Sequence, residues 1–161
     1  LLPEDRDDLP EVVPVEWLNA TCVVYRREAL PDPVFSPFFQ GYSFMEDVAL
    51  SLTVARGGWK LANARTARIF HDSQTGDHKK SFYALARMSL VNRHHVMTRV
   101  LGRRGWRDHA KLALLESFGL ATALASARGR RRFFPELAGK LSGVWAILRG
   151  KTGELAMEPK R

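Results

Sequence analysis

FFQGYSFMEDVALSLTVARGGWK, residues Phe38–Lys60, is the stretch from which the rest of the chain is read. From Met45 its apolar residues recur at helical spacing. Val48, Leu52 and Ala55 share one face, with Ala49 and Leu50 alongside. Glu46 and Asp47 fall in the first turn, where carboxylates complement the positive end of the helix dipole. Gly57-Gly58 ends the helix. Upstream, PDPVFSPFFQGYS holds three prolines and three phenylalanines, a loop pinned by aromatic side chains. A carboxylate at a helix start, beside a loop that can hold a substrate, suits a general base. The same placement also suits an ordinary helix cap.

Working outward, residues 1–14 are acidic and carry three prolines, which predicts an extended linker. Val15–Tyr25 is apolar and β-branched, so it reads as a buried strand, followed by a helical turn over Arg26–Leu30. Trp59–Ala62 and Ala67–Phe70 read as two short strands, and His71–His78 as a polar loop. Beyond Lys80 the pattern is helical: Ser81–Leu101, His109–Ala127 and Phe133–Leu148, the last with Pro135 in its first turn. Arginine clusters at 102–105 (GRRG) and 128–132 (RGRRR) punctuate these helices. The expected division is a linker at 1–14, a mixed strand-and-helix segment at 15–80, a basic helical region at 81–150 and a frayed tail at 151–161.

Composition bounds the function classes. The chain has 161 residues and is 45% hydrophobic, enough for a packed core. Its one cysteine, Cys22, excludes an intrachain disulfide framework and a zinc site of the CxxC type. It also favours a reducing, cytoplasmic setting. No apolar run reaches the ~20 residues that span a bilayer; the nearest, Leu112–Ala127, is interrupted by Glu116. The chain opens on Leu-Leu-Pro without an initiating Met, so a piece of a longer protein is expected.

The formal net charge of +8 is unevenly spread. Residues 1–80 hold 9 Lys/Arg and 12 Asp/Glu, a net of −3; residues 81–161 hold 16 and 5, a net of +11. A basic half of this kind serves as a solvated face, a nucleic-acid surface or an adhesion surface for anionic lipid. Arg128, Arg130, Arg131 and Arg132 followed by Phe133-Phe134 form a candidate interfacial anchor. Each Lys or Arg near an anionic membrane gains roughly 1 kcal/mol. A nonenzymatic basic helical module binding nucleic acid or an anionic membrane is therefore the alternative to an enzyme. No DNA-binding or RNA-binding motif accompanies the arginines, so nucleic acid is not the expected partner.

The order of motifs over residues 15–95 resembles the second half of family 2 glycosyltransferases, which adopt the GT-A fold. The resemblance rests on Arg26-Arg27-Glu28, Phe38-Phe39-Gln40-Gly41-Tyr42, Glu46-Asp47, Arg56-Gly57-Gly58-Trp59-Lys60-Leu61 and Ala67-Arg68-Ile69-Phe70-His71. The segment FYALARMSLVNRHH also looks like the helix that follows the catalytic core in bacterial members. The fold it implies is α/β: a partial GT-A-like mixed sheet with helices, followed by a C-terminal helical region. The activity it implies is inverting transfer of a sugar from a nucleotide-sugar donor to a hydroxyl acceptor, saccharide or lipid-linked, in the synthesis of bacterial envelope polysaccharide. Asp47 corresponds to the general base, and Glu46 to a residue that orients the site. His71 corresponds to a ligand of a divalent metal, Mn²⁺ or Mg²⁺, on the donor diphosphate. Trp17, Asn19, Thr21 and Tyr42 are the candidate substrate-binding residues.

The departures from the family pattern matter as much. The family's donor-binding βαβ half and its DxD metal motif do not appear. Asp5-Arg6-Asp7 matches DxD in letters, yet no apolar strand precedes it, and it lies too close to Asp47. Gln74 is followed by Thr-Gly-Asp rather than completing QxxRW, which argues against a processive synthase. The expectation is an acceptor-side half that lacks a complete nucleotide site. It is cytoplasmic or peripheral at the inner membrane face, with open strand edges that favour a homodimer.

Overall fold

The computed structural model describes residues 10–67, 69–70 and 81–152. The chain is mixed α/β and mostly helical, with four α-helices and one two-stranded antiparallel sheet among the described residues. It divides into two compact units, residues 1–36 with 46–74 and residues 37–45 with 75–161.

In the first unit, β1 (Val12–Pro14) pairs antiparallel with β2 (Ala62–Ala64) in the register Val12↔Ala64, Val13↔Asn63 and Pro14↔Ala62. The Val15 N–H extends the pairing to the Leu61 carbonyl at 3.1 Å. Between the strands come a 3₁₀ turn at Arg27–Ala29 and helix α1 (Glu46–Arg56). Gly58, at φ 90°, closes α1 with the left-handed residue that glycine adopts without steric cost. Leu50, Val54 and Leu61 form the core, and Val15, Leu18, Tyr25, Ala29 and Leu30 pack against them.

This unit corrects four sequence expectations. Val15–Tyr25 is not a strand; the backbone there is irregular, and the strand lies just upstream at Val12–Pro14. The expected strand at Trp59–Ala62 is displaced to Ala62–Ala64, and the described residues of Ala67–Phe70 are not extended into a strand. A small antiparallel pair thus stands where a mixed sheet was expected. The apolar run at 15–25 packs as a loop because Leu18 bonds to α1 rather than to a neighbouring strand. The inward face of α1 is also rotated: Ala49, Leu50, Ser51 and Val54 are buried, Leu52 is half-buried and Ala55 is exposed.

In the second unit, α2 (Phe82–His95) begins on Ser81, whose Oγ accepts the Ala84 N–H at 3.2 Å. It runs into a π-helical turn at Val96–Val100. Helix α3 (Trp106–Ala123) starts where the Asp108 carboxylate accepts the Gly105 N–H at 3.2 Å. Helix α4 (Ala127–Leu148) begins on Ser126, whose Oγ accepts the Gly129 N–H at 3.0 Å. That cap starts the helix ahead of Phe133, where the sequence suggested. The arginines at 128–132 therefore lie inside α4, and Pro135 sits in its interior rather than its first turn.

Helices α2 and α4 pack closely because α4 presents glycine to its neighbour. A Cβ on Gly139 would collide with the Tyr83 carbonyl oxygen, and one on Gly143 would lie 3.2 Å from Leu90 Cδ2. Helix α3 joins through a charge rather than an apolar seam. Glu116, 6% exposed, takes Arg93 of α2 on Oε1 at 2.6 Å and Lys140 of α4 on Oε2. The sequence showed Glu116 only as the break in an apolar run; it is the residue that ties the three helices. Burial pushes its pKa up, but hydrogen bonds and attraction from Lys140 and Arg93 outweigh this, and the net shift is downward.

Candidate functional site

The candidate base lies at the start of α1. Glu46 and Asp47 are the helix's first two residues and both are half-buried. Asp47 Oδ1 accepts the Val48 N–H at 2.8 Å, so one carboxylate oxygen meets an N–H that lacks an intrahelical partner. The entry into α1 is backbone-strained. Ser43 and Met45 adopt left-handed conformations, at φ 52° and 74°. For residues with a Cβ this costs roughly 1–2 kcal/mol each.

Four residues after Asp47, and therefore on the same helix face, lies Ser51. Ser51 is fully buried. Its Oγ accepts the Leu18 N–H at 2.9 Å, reaches the Leu18 carbonyl at 3.3 Å and lies 3.1 Å from the Tyr25 hydroxyl. Ser51 thus fastens the loop carrying Trp17 and Asn19 onto the face of α1 that begins with Asp47. Sequence reasoning missed both Ser51 and Tyr25. The signal was the four-residue step from Asp47, passed over because a serine does not count toward an apolar face.

The other expected site residues divide as follows. Trp17 is about half exposed, 48%. Asn19 Oδ1 accepts both the Thr21 N–H at 2.9 Å and the Thr21 hydroxyl at 2.6 Å, an Asx turn that fixes the loop and occupies these two side chains with each other. Tyr42 belongs to the second unit and is exposed. His71 lies outside the described residues, as does Asp5-Arg6-Asp7. Among the described residues no group of three or more His, Cys, Asp or Glu side chains is placed to hold a metal ion.

The aromatic loop is an anchor in the second unit. The Phe38 ring stacks on His95 with centroids 3.6 Å apart, and Phe39 meets both rings edge-on. Asn92 Nδ2 donates to the Phe44 carbonyl at 2.7 Å, and the Arg93 guanidinium lies over the Phe44 ring. A cleft of about 150 Å³ opens here, lined in part by Phe38, His94, His95 and Arg99. Among the described residues, none of the expected site residues lines it. Burial lowers the pKa of His94 and His95, and electrostatic repulsion lowers it further, from His109 then Arg99 for His94 and from Arg99 then His94 for His95.

Compared with models of known protein families, with curated proteins and with solved structures, the chain matches none.

Proposed function

We propose that this chain is the acceptor side of an inverting, family 2-like glycosyltransferase, with Asp47 as its general base. The observation that carries the reading is the placement of Asp47. It opens α1, and the face it heads is bonded through Ser51 to the loop that bears Trp17 and Asn19. The ordered motifs from Arg26 to His71 support the same reading.

An alcohol is a weak nucleophile until a positioned base accepts its proton. In this account Asp47 takes the proton of the acceptor hydroxyl as that oxygen attacks the anomeric carbon. The new carbon–oxygen bond forms on the face opposite the nucleotide, the bond to the diphosphate breaks, and the nucleoside diphosphate leaves with the electron pair. Inversion follows from in-line attack. Glu46 orients the acceptor. Trp17 offers a ring to a sugar face, and the Asn19–Thr21 turn shapes the loop beside it. The reading assigns His71 to the divalent metal on the donor diphosphate, which would offset the charge on the leaving diphosphate, with further ligands from a donor-binding half.

The test is product analysis. Protein expressed from its complete coding frame is incubated with UDP- and dTDP-sugars and saccharide or lipid-linked acceptors, and the anomeric configuration of the product is read by NMR. Transfer with inversion is expected. Retention of configuration, or no transfer from any donor, contradicts the proposal.

A further inference from the structure

We infer that the outward face of α4 is a docking surface for an anionic lipid bilayer, lying in the plane of the membrane rather than crossing it. The inference stands apart from the proposed sugar transfer and does not depend on it. On α4 the buried residues Gly129, Gly139, Gly143 and Ala146 mark the inner side. Opposite them, at helical spacing, stand Phe134, Leu141, Trp145 and Leu148, exposed by 75%, 61%, 54% and 79%. The helix cannot roll to hide this stripe, because only its glycine side allows the close approach to Tyr83 and Leu90. The face of α3 turned away from Glu116 repeats the pattern with exposed Leu114 and Phe118.

Charge identifies the occupant. Arg130 and Arg131 lie at one end of the stripe and Arg149 at the other, all exposed. The Arg149 guanidinium sits 3.6 Å from the centroid of the Trp145 ring, an amphipathic pair of the kind that settles at a membrane–water interface. The helix's one acidic residue, Glu136, falls on the Gly143 side, one heptad before it, so no carboxylate interrupts the face. The second unit carries 14 Lys/Arg and 3 Asp/Glu over residues 81–152, a net of +11, and Glu116 is already committed to two cations. A second copy of the chain would set arginine against arginine. Nucleic acid would meet the arginines but gain nothing from the apolar centre. A bilayer with anionic headgroups meets both. No described helix is long and apolar enough to cross a membrane, and the stripe from Phe134 to Leu148 is only ~21 Å long.

The experiment is vesicle co-sedimentation of the 161-residue protein. One set of vesicles is phosphatidylcholine alone; the other contains about 30 mol % phosphatidylglycerol. Binding to the anionic vesicles only is expected, weakened at least ~10-fold between about 0.05 M and about 0.5 M salt. L141S/L148S keeps the charge and removes apolar area, and R131A/R149A does the reverse; each is expected to weaken binding by at least ~10-fold. The wild-type protein should show a tryptophan blue shift on binding that Trp145→Phe largely removes, a reading that does not rely on the double variants folding. The inference is overturned by absence of binding to anionic vesicles, by unchanged binding of L141S/L148S, or by a blue shift that survives Trp145→Phe. It is equally overturned if light scattering shows a dimer that L141S/L148S dissociates, or if duplex DNA binds while vesicles do not.

Discussion

Ser51 shows how a single buried hydroxyl sets the geometry of the candidate site. It serves Leu18 and Tyr25 together, so Ser51→Ala leaves a half-buried N–H and a half-buried phenol without their partner. Unfolding in urea should show a loss of about 1–3 kcal/mol, and Tyr25→Phe a smaller one. Glu116 has more at stake. Glu116→Gln leaves Arg93 and Lys140 facing a neutral amide in a buried place and should cost about 3 kcal/mol or more by the same measurement. Titration adds a pH dependence of known sign. The Glu116 pKa is lower folded than its ordinary 4.5, so its contribution is present above that pH and lost as pH falls below it. His94 and His95 are lower folded than their ordinary 6.5, so the unfolded chain takes up protons first and stability declines as pH falls through 6.5. Urea midpoints should therefore be level above about pH 7 and fall from near pH 6.5 toward pH 4. His94→Gln should flatten the part nearest 6.5 and leave the part below 4.5.

Among the elements, α4 depends most on residues with no side chain. Gly139→Ala forces a methyl group against the Tyr83 carbonyl and should destabilise the second unit by about 1–3 kcal/mol. Gly119→Ala on α3 is the control. Nothing lies within 4 Å of the added carbon, and the residue is exposed, so stability should rise by up to about 1 kcal/mol. Thermal melts of the two variants should move in opposite directions. The helices were largely legible in the sequence because their apolar residues recur at the right period and their caps are local. α1, with its acidic start and its Gly57-Gly58 stop, falls where the pattern placed it. Ser126 is a cap of the same kind, passed over in favour of Pro135, which is why α4 starts earlier than read. The strands were not legible. β1 and β2 are three residues each, too short for alternation to register, and the β-branched run at 15–25 is held by a side-chain bond that no periodicity reports. The candidate site was legible to the extent that Glu46 and Asp47 open α1 together. The polar hub at Ser51 behind them was not, because a buried hydroxyl leaves no mark on a hydropathy pattern.

For the molecule as a whole, the division of charge along the chain parallels a division of chemistry. The unit containing α1 holds the candidate base within an acidic stretch of sequence. The unit containing α2, α3 and α4 holds the arginines, the three-way clasp at Glu116 and the outward apolar stripe. In the proposed function the first of these units supplies the base, and the central claim is the role of Asp47. The most direct measurement is the transfer rate of protein expressed from its complete coding frame under saturating donor and acceptor, for the parent, Asp47→Asn and Ser117→Ala. Ser117 is exposed on α3 and serves as a neutral control. Asp47→Asn should lower kcat by about 10²–10⁴, with helix content and urea midpoint close to the parent and KM little changed. The control should keep the parental rate. A correctly folded Asp47→Asn that transfers sugar as fast as the parent contradicts the account.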